Sequence, residues 1–215
     1  MDSEMLQKMV IAILPVIFAI TFRESVRAFL ARYFGDTAAY VEGRMTFNPI
    51  KHIDPLGTIV LPMICLALGN FLFGWAKPLP ININSLRNPR RDIMWLSIAG
   101  PVTNLVMAFV WAIFFRFALS IGGDFGLPLK LMSQYGIMIN ISLMFLTLLP
   151  ILPFDGGRIV ESLLPPKLSY KYSRLEPYGM WIVLALIFTG VLGHIMSPLF
   201  ALALGLIQSF IQLLM

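Results

Sequence analysis

The sequence predicts an all-α, polytopic helical membrane protein with about five to six membrane segments, a small β-hairpin and a re-entrant segment. Three observations carry that reading. The 215 residues are 58% hydrophobic and 13% charged, whereas soluble domains run at about 45–50% apolar and about 25% charged. A water-soluble globule of this length would lack the polar surface to cover itself. The apolar residues gather into runs close to the ~20 that one span needs. The single cysteine, Cys65, excludes a disulfide-built secreted domain. The balance of 16 Lys+Arg against 11 Asp+Glu, a formal +5, does not point to nucleic acid. The basic residues sit in short connections between apolar runs, where they set topology, and no basic stripe is interleaved with aromatics.

The first segment, Met5 to about Phe34, is apolar as far as Phe22 and then charged. Its acidic start, without a small-residue cleavage pattern, makes a poor signal peptide, so the segment is expected to stay. Residues 37–47 are β-prone around Glu42-Gly43, which predicts the hairpin. Leu56 to Trp75 is apolar but interrupted by Pro62 and Gly69-Asn70, as a re-entrant segment would be. Ile93 to about Leu119 and Leu131 to Leu152 read as long spans, and Trp181 to Ile195 with Leu199 to Met215 as a final pair split at Ser197-Pro198. Residues 76–92 and 153–177 together carry eight Lys/Arg, which predicts that both connections face the cytoplasm. The N-terminus then lies outside and the C-terminus inside.

The most informative stretch is Phe22-Arg23-Glu24-Ser25-Val26-Arg27-Ala28. An Arg or an acid at mid-bilayer costs about 2.5–3.5 kcal/mol on insertion scales, so such groups face a cavity or a partner. Arg23 and Arg27 share a helix face, and Glu24 reaches Arg27 at i+3. The plainer reading is that the bilayer ends here and the arginines snorkel to headgroups. The second charged helix end is Pro150-Ile151-Leu152-Pro153-Phe154-Asp155-Gly156-Gly157-Arg158, where Asp155 is a partner for the first helix or a loop acid.

These motifs, with Ala31-Arg32-Tyr33-Phe34-Gly35-Asp36, Asn48-Pro49-Ile50-Lys51-His52-Ile53-Asp54-Pro55, Gly74-Trp75-Ala76-Lys77-Pro78-Leu79-Pro80 and Ala99-Gly100-Pro101-Val102-Thr103-Asn104, give the chain its resemblance to a known family. It resembles the short bacterial site-2 proteases, intramembrane zinc metalloproteases, through most of its first 160 residues. The resemblance implies a membrane core over residues 1–165 followed by a C-terminal helical hairpin over 166–215, in the bacterial cytoplasmic membrane. It implies zinc held by His-Glu-x-x-His and a distant Asp, the Glu acting as general base on a metal-bound water. Glu24 falls on the base position and Asp155 on the aspartate ligand, but Arg23 and Arg27 occupy both histidine positions. Thr147 and Leu152 also depart from the family pattern. Asn104, Lys77, Pro78 and His52 fall on stretches where the resemblance implies substrate contact.

A guanidinium has no lone pair for a metal and stays protonated in proteins. The sequence therefore predicts that no zinc is held and that Glu24 stands idle. The two Arg and the two carboxylates sum to zero charge and are expected to tie the first helix to the Asp155 turn. His52 and His194, the only histidines, fall on opposite membrane faces in this topology and are not expected to share a metal. His52 reads as a hydrogen-bonded structural residue. Ser25 is expected to lack a histidine base. The functional expectation is a catalytically inactive pseudoprotease that binds a transmembrane peptide client. The alternatives are a zinc endopeptidase with a rearranged site, and a membrane protein whose arginines handle a lipid headgroup or small anion. The partners expected are the bilayer and a peptide, with no nucleic acid; the sequence leaves the oligomeric state open.

Overall fold

The computed structural model describes residues 3–60 and 77–214. Among these residues eight α-helices follow in chain order: α1 (Ser3–Tyr33), α2 (Ala38–Val41), α3 (Pro89–Ile121), α4 (Gly123–Thr147), α5 (Asp155–Leu163), α6 (Pro166–Ser173), α7 (Glu176–Phe188) and α8 (Val191–Leu213). No strand occurs among the described residues. Among the described residues three helices are long and apolar enough to cross a membrane: α3, α4 from Phe125 onward, and α8. The expected count of five to six spans is not reached among these residues. The expected re-entrant segment lies for the most part outside them; of it, Pro55–Val60 winds as a π-helical turn capped by Asp54, whose carboxylate accepts the amides of Leu56 and Gly57.

The hairpin expected over residues 37–47 is a correction. Asp36, buried at the exit of α1, accepts the Ala38 amide at 2.9 Å and so starts the short helix α2. Gly43 ends it in the left-handed region at φ 63°, while the Arg44 amide returns to the Ala39 carbonyl. A carboxylate cap and a left-handed stop override the β-propensity of Tyr40 and Val41.

The core is a seam between three helices. Ala108, Trp111 and Ala112 of α3 pack on Ile137 and Ile141 of α4 and on Ala203, Ile207 and Ile211 of α8. Small residues at such seams let backbones approach closely. At Gly136 the approach is complete, since the Trp111 indole fills the space its side chain would take. α1 runs antiparallel to α3: the Phe18 ring stacks near Trp111 with centroids 6.3 Å apart, and the Phe34 carbonyl accepts the Arg87 amide just before α3.

The last two helices correct the sequence reading twice. The chain breaks at Gly190, with φ 74°, rather than at Ser197-Pro198, and α8 runs through Pro198. The proline removes the amide that would serve the His194 carbonyl, and the Ser197 hydroxyl donates to that carbonyl instead. α7, with 13 residues, is about 20 Å long, too short for the ~30 Å hydrocarbon core. α8 then runs parallel to α3, with Phe210 against Phe109 and the Leu214 carbonyl accepting Arg116. Leu214 therefore lies at the same end of the bundle as the 122–123 turn and the start of α1, not at the opposite end.

Candidate functional site

The site forms where α1 passes the N-terminus of α5. α1 stays helical through its charged turn because Arg23, Glu24 and Arg27 find partners instead of lipid. Gly100 of α3 leaves the room: a Cβ there would stand 2.9 Å from Arg23 Nε and 3.0 Å from Asp155 Oδ2. The Pro-rich turn after α4 sets Asp155 at the first position of α5, where the helix dipole favours a carboxylate. Gly156 and Gly157 let that turn press on the backbone of residues 148–152.

The Arg23–Asp155 pair joins residues 132 positions apart. Arg23 donates to Asp155 Oδ2 in a close hydrogen-bonded pair and stands 3.6 Å from Glu24. Arg27 lies 3.4 Å from Glu24 and 3.6 Å from Asp155 Oδ1. Glu24 is 3% exposed and Asp155 5%. The four groups line a cavity of about 540 Å³ whose walls also include Lys77, Pro78, Leu146, Thr147 and Met180.

Of the other residues singled out in the sequence, Lys77 and Pro78 line this cavity, whereas Asn104 and His52 do not. Arg44, unremarked in the sequence, holds the 77–78 wall: its buried guanidinium donates to the carbonyls of Lys77 (2.8 Å) and Pro78. Asn104 is buried between α3 and α4, its amide donating to Asn140 at 3.1 Å. His52 is buried behind α1, its Nε2 2.8 Å from the Thr46 carbonyl. The same ring nitrogen lies 3.4 Å from Ser25 Oγ, which corrects the expectation that Ser25 has no histidine near it. That hydroxyl donates to the Thr46 carbonyl at 2.6 Å and is fully buried, so the pair braces the 46–52 turn against α1. Ser25 and Thr46 stand in no motif. The available signal was a small hydroxyl on the face of α1 opposite the two arginines.

Comparison with known proteins settles the family. Over 191 residues the chain is 36% identical to "Putative zinc metalloprotease YwhC" of Bacillus subtilis (strain 168), which covers 87% of this chain and 84% of that protein. The chain belongs to the site-2 protease family. It is also 29% identical over 183 residues to "Putative zinc metalloprotease Rip2" of Mycolicibacterium smegmatis, and 26% identical over 163 residues to the protein of that name in Mycobacterium tuberculosis H37Rv. It spans 66% and 59% of the length of those two relatives. No family model matches the chain. No solved structure matches it.

Family membership raises the question of zinc, and the residues present do not fit it. Zinc sites are built from imidazole, thiolate and carboxylate lone pairs. At this site Glu24 and Asp155 are the carboxylates on offer, and each already faces a guanidinium within 4 Å. Among the described residues no three His, Cys, Asp or Glu side chains come together as a ligand set. Cys65 lies outside them. No chemical step is therefore routed through a metal.

Proposed function

We propose that this chain is a site-2-protease-like membrane protein that has exchanged zinc hydrolysis for holding a transmembrane peptide. The observation that carries the reading is the Arg23–Asp155 pair at the family's metal position. A fixed cation tied to the aspartate that would complete a zinc site supplies charge there but no Lewis acid, and no water of lowered pKa. Glu24 then has no activated water to deprotonate. Hydrolysis is lost while the cavity, its apolar wall and the 77–80 segment remain to receive a peptide. Residues 1–165 form the peptide-holding core, and residues 166–215 form a C-terminal unit in which only α8 crosses. The protein is integral to the bacterial cytoplasmic membrane. The basic connections over 77–92 and 153–177 face the cytoplasm, which puts the start of α1 and Leu214 outside.

The test is metal content and cleavage in two purified proteins. The wild-type chain is expected to carry no stoichiometric zinc and to leave a membrane peptide intact. The double substitution Arg23→His with Arg27→His, which restores three donor side chains with Asp155, is expected to gain zinc. One zinc per wild-type chain, or cleavage abolished by Glu24→Gln, would overturn the proposal.

A further inference from the structure

The two arginines are not equivalent. Arg23 is engaged by Asp155 and fitted against Gly100. Arg27 makes no contact to a carboxylate shorter than 3.4 Å, and its Nε, like that of Arg23, is buried without a partner. Glu24 is equally loose: its contacts to Arg23 and Arg27 lie at 3.4–3.6 Å. Charge-assisted pairs that are satisfied by each other close to about 2.7–2.9 Å. A buried carboxylate and a guanidinium that stay apart, side by side on a cavity wall, keep hydrogen-bonding capacity for a third group. What that group is follows from the signs. Arg27 only donates and Glu24 only accepts, and together they are neutral, so an anion attracted by one is repelled by the other. A neutral ligand with one acceptor and one donor on the same side fits both. One residue of an extended peptide shows its own C=O and N–H in that way, and an unwound segment at membrane depth needs both satisfied.

We infer that Arg27 and Glu24 form a two-point clasp for the backbone of one extended residue in the cavity, Arg27 donating to its carbonyl and Glu24 accepting its amide proton. This rests on the peptide-holding reading above and adds which atoms are held. In this arrangement Arg27 takes over the carbonyl contact that a metal would make, without activating the carbonyl toward attack.

The experiment uses the full-length protein in nanodiscs and a fluorescent apolar peptide of ~20 residues with a central Asn-Gly to allow unwinding. Each central backbone amide is replaced in turn by an ester, which removes one N–H and leaves the protein untouched. A single ester position is expected to weaken binding about tenfold, as loss of a hydrogen bond to a charged group does. That penalty is expected to vanish in Glu24→Leu, and Arg27→Met is expected to weaken every peptide by a similar factor. Equal binding of all esters, or unchanged binding to a folded Arg27→Met protein, would overturn the clasp while leaving peptide holding intact. Failure of the all-amide peptide to bind at all would overturn the peptide-holding reading itself. Displacement of the peptide by inorganic phosphate or by anionic lipid would overturn the clasp in favour of an anion site.

Discussion

Replacing Asp155 by Ala is the most direct test of how the site is held. Asp155 is 5% exposed and is the close partner of Arg23. Without it, the nearest carboxylate to Arg23 is Glu24 at 3.6 Å, which Arg27 already shares. Breaking a buried pair by removing one partner costs about 3–5 kcal/mol, because a buried charge is left uncompensated. The Arg23 side chain keeps 15% exposure, so water reaches part of it and the lower end of that range, about 3 kcal/mol, applies. Loss of the first-turn carboxylate of α5 adds about 0.3–1 kcal/mol. For a chain of this size about 3 kcal/mol lowers Tm by roughly 6–12 °C, measured by thermal unfolding in a fixed detergent. The companion double substitution Arg23→Met with Asp155→Leu removes both charges and is expected to recover most of the loss. If Asp155→Ala melts within about 2 °C of wild type, the bridge does not hold α1 to α5 and the charge-replacement argument fails.

Two further outcomes follow from close contacts and from the pH sensitivity of one hydroxyl. Gly156→Ala is expected to destabilise more than Gly100→Ala, because a Cβ at 156 would stand 2.1 Å from the backbone carbonyl of Leu148 whereas one at 100 would stand 2.9 Å from a side-chain atom of Arg23; overpacking of this kind costs about 1–3 kcal/mol, and paired melting curves rank the two. Tyr172, outside the spans, donates its phenol to the Pro150 carbonyl at 2.8 Å. Burial and the nearby Glu161 raise its pKa above the ordinary tyrosine value. The bond is present in full below that ordinary value and is lost as pH rises through the raised one. In an alkaline absorbance titration, Tyr172→Phe is expected to remove a component that ionises above the ordinary tyrosine value; no change would refute it.

The site was legible where charge met hydrocarbon. Three ionisable residues continuing an apolar helix must find partners, and the family resemblance pointed to Asp155 as the one across the chain; the structure places it against Arg23. What could not be read was settled by single side-chain-to-backbone bonds. The Asp36 cap turned a β-prone run into α2. The Ser197 hydroxyl carried α8 through Pro198. Arg44 reached across to the carbonyls of Lys77 and Pro78. Such bonds follow no periodicity; they depend on which backbone group the fold leaves orphaned. Asn104, on a stretch where the resemblance implies substrate contact, does not line the cavity, and Asn140 takes up its amide.

Topology offers an argument that composition alone could not make. Read from hydropathy, the last two apolar runs form a hairpin, which would leave the two ends of the chain on opposite faces. In the structure α7 is shorter than a span, and among the described residues after Asp155 α8 alone is long and apolar enough to cross; its far end meets Arg116 of α3. Ser120, beside the α3–α4 turn, and Leu214 must then be exposed to the same aqueous phase. After Cys65→Ser, single substitutions Ser120→Cys and Leu214→Cys report this directly with a membrane-impermeant maleimide on intact cells. Both cysteines are expected to label from the same side, and Lys171→Cys, in the last turn of α6, from the other. If Leu214→Cys labels with Lys171→Cys instead, α7 crosses the bilayer after all. The Arg116–Leu214 contact would then have to be abandoned along with the parallel packing of α8 on α3.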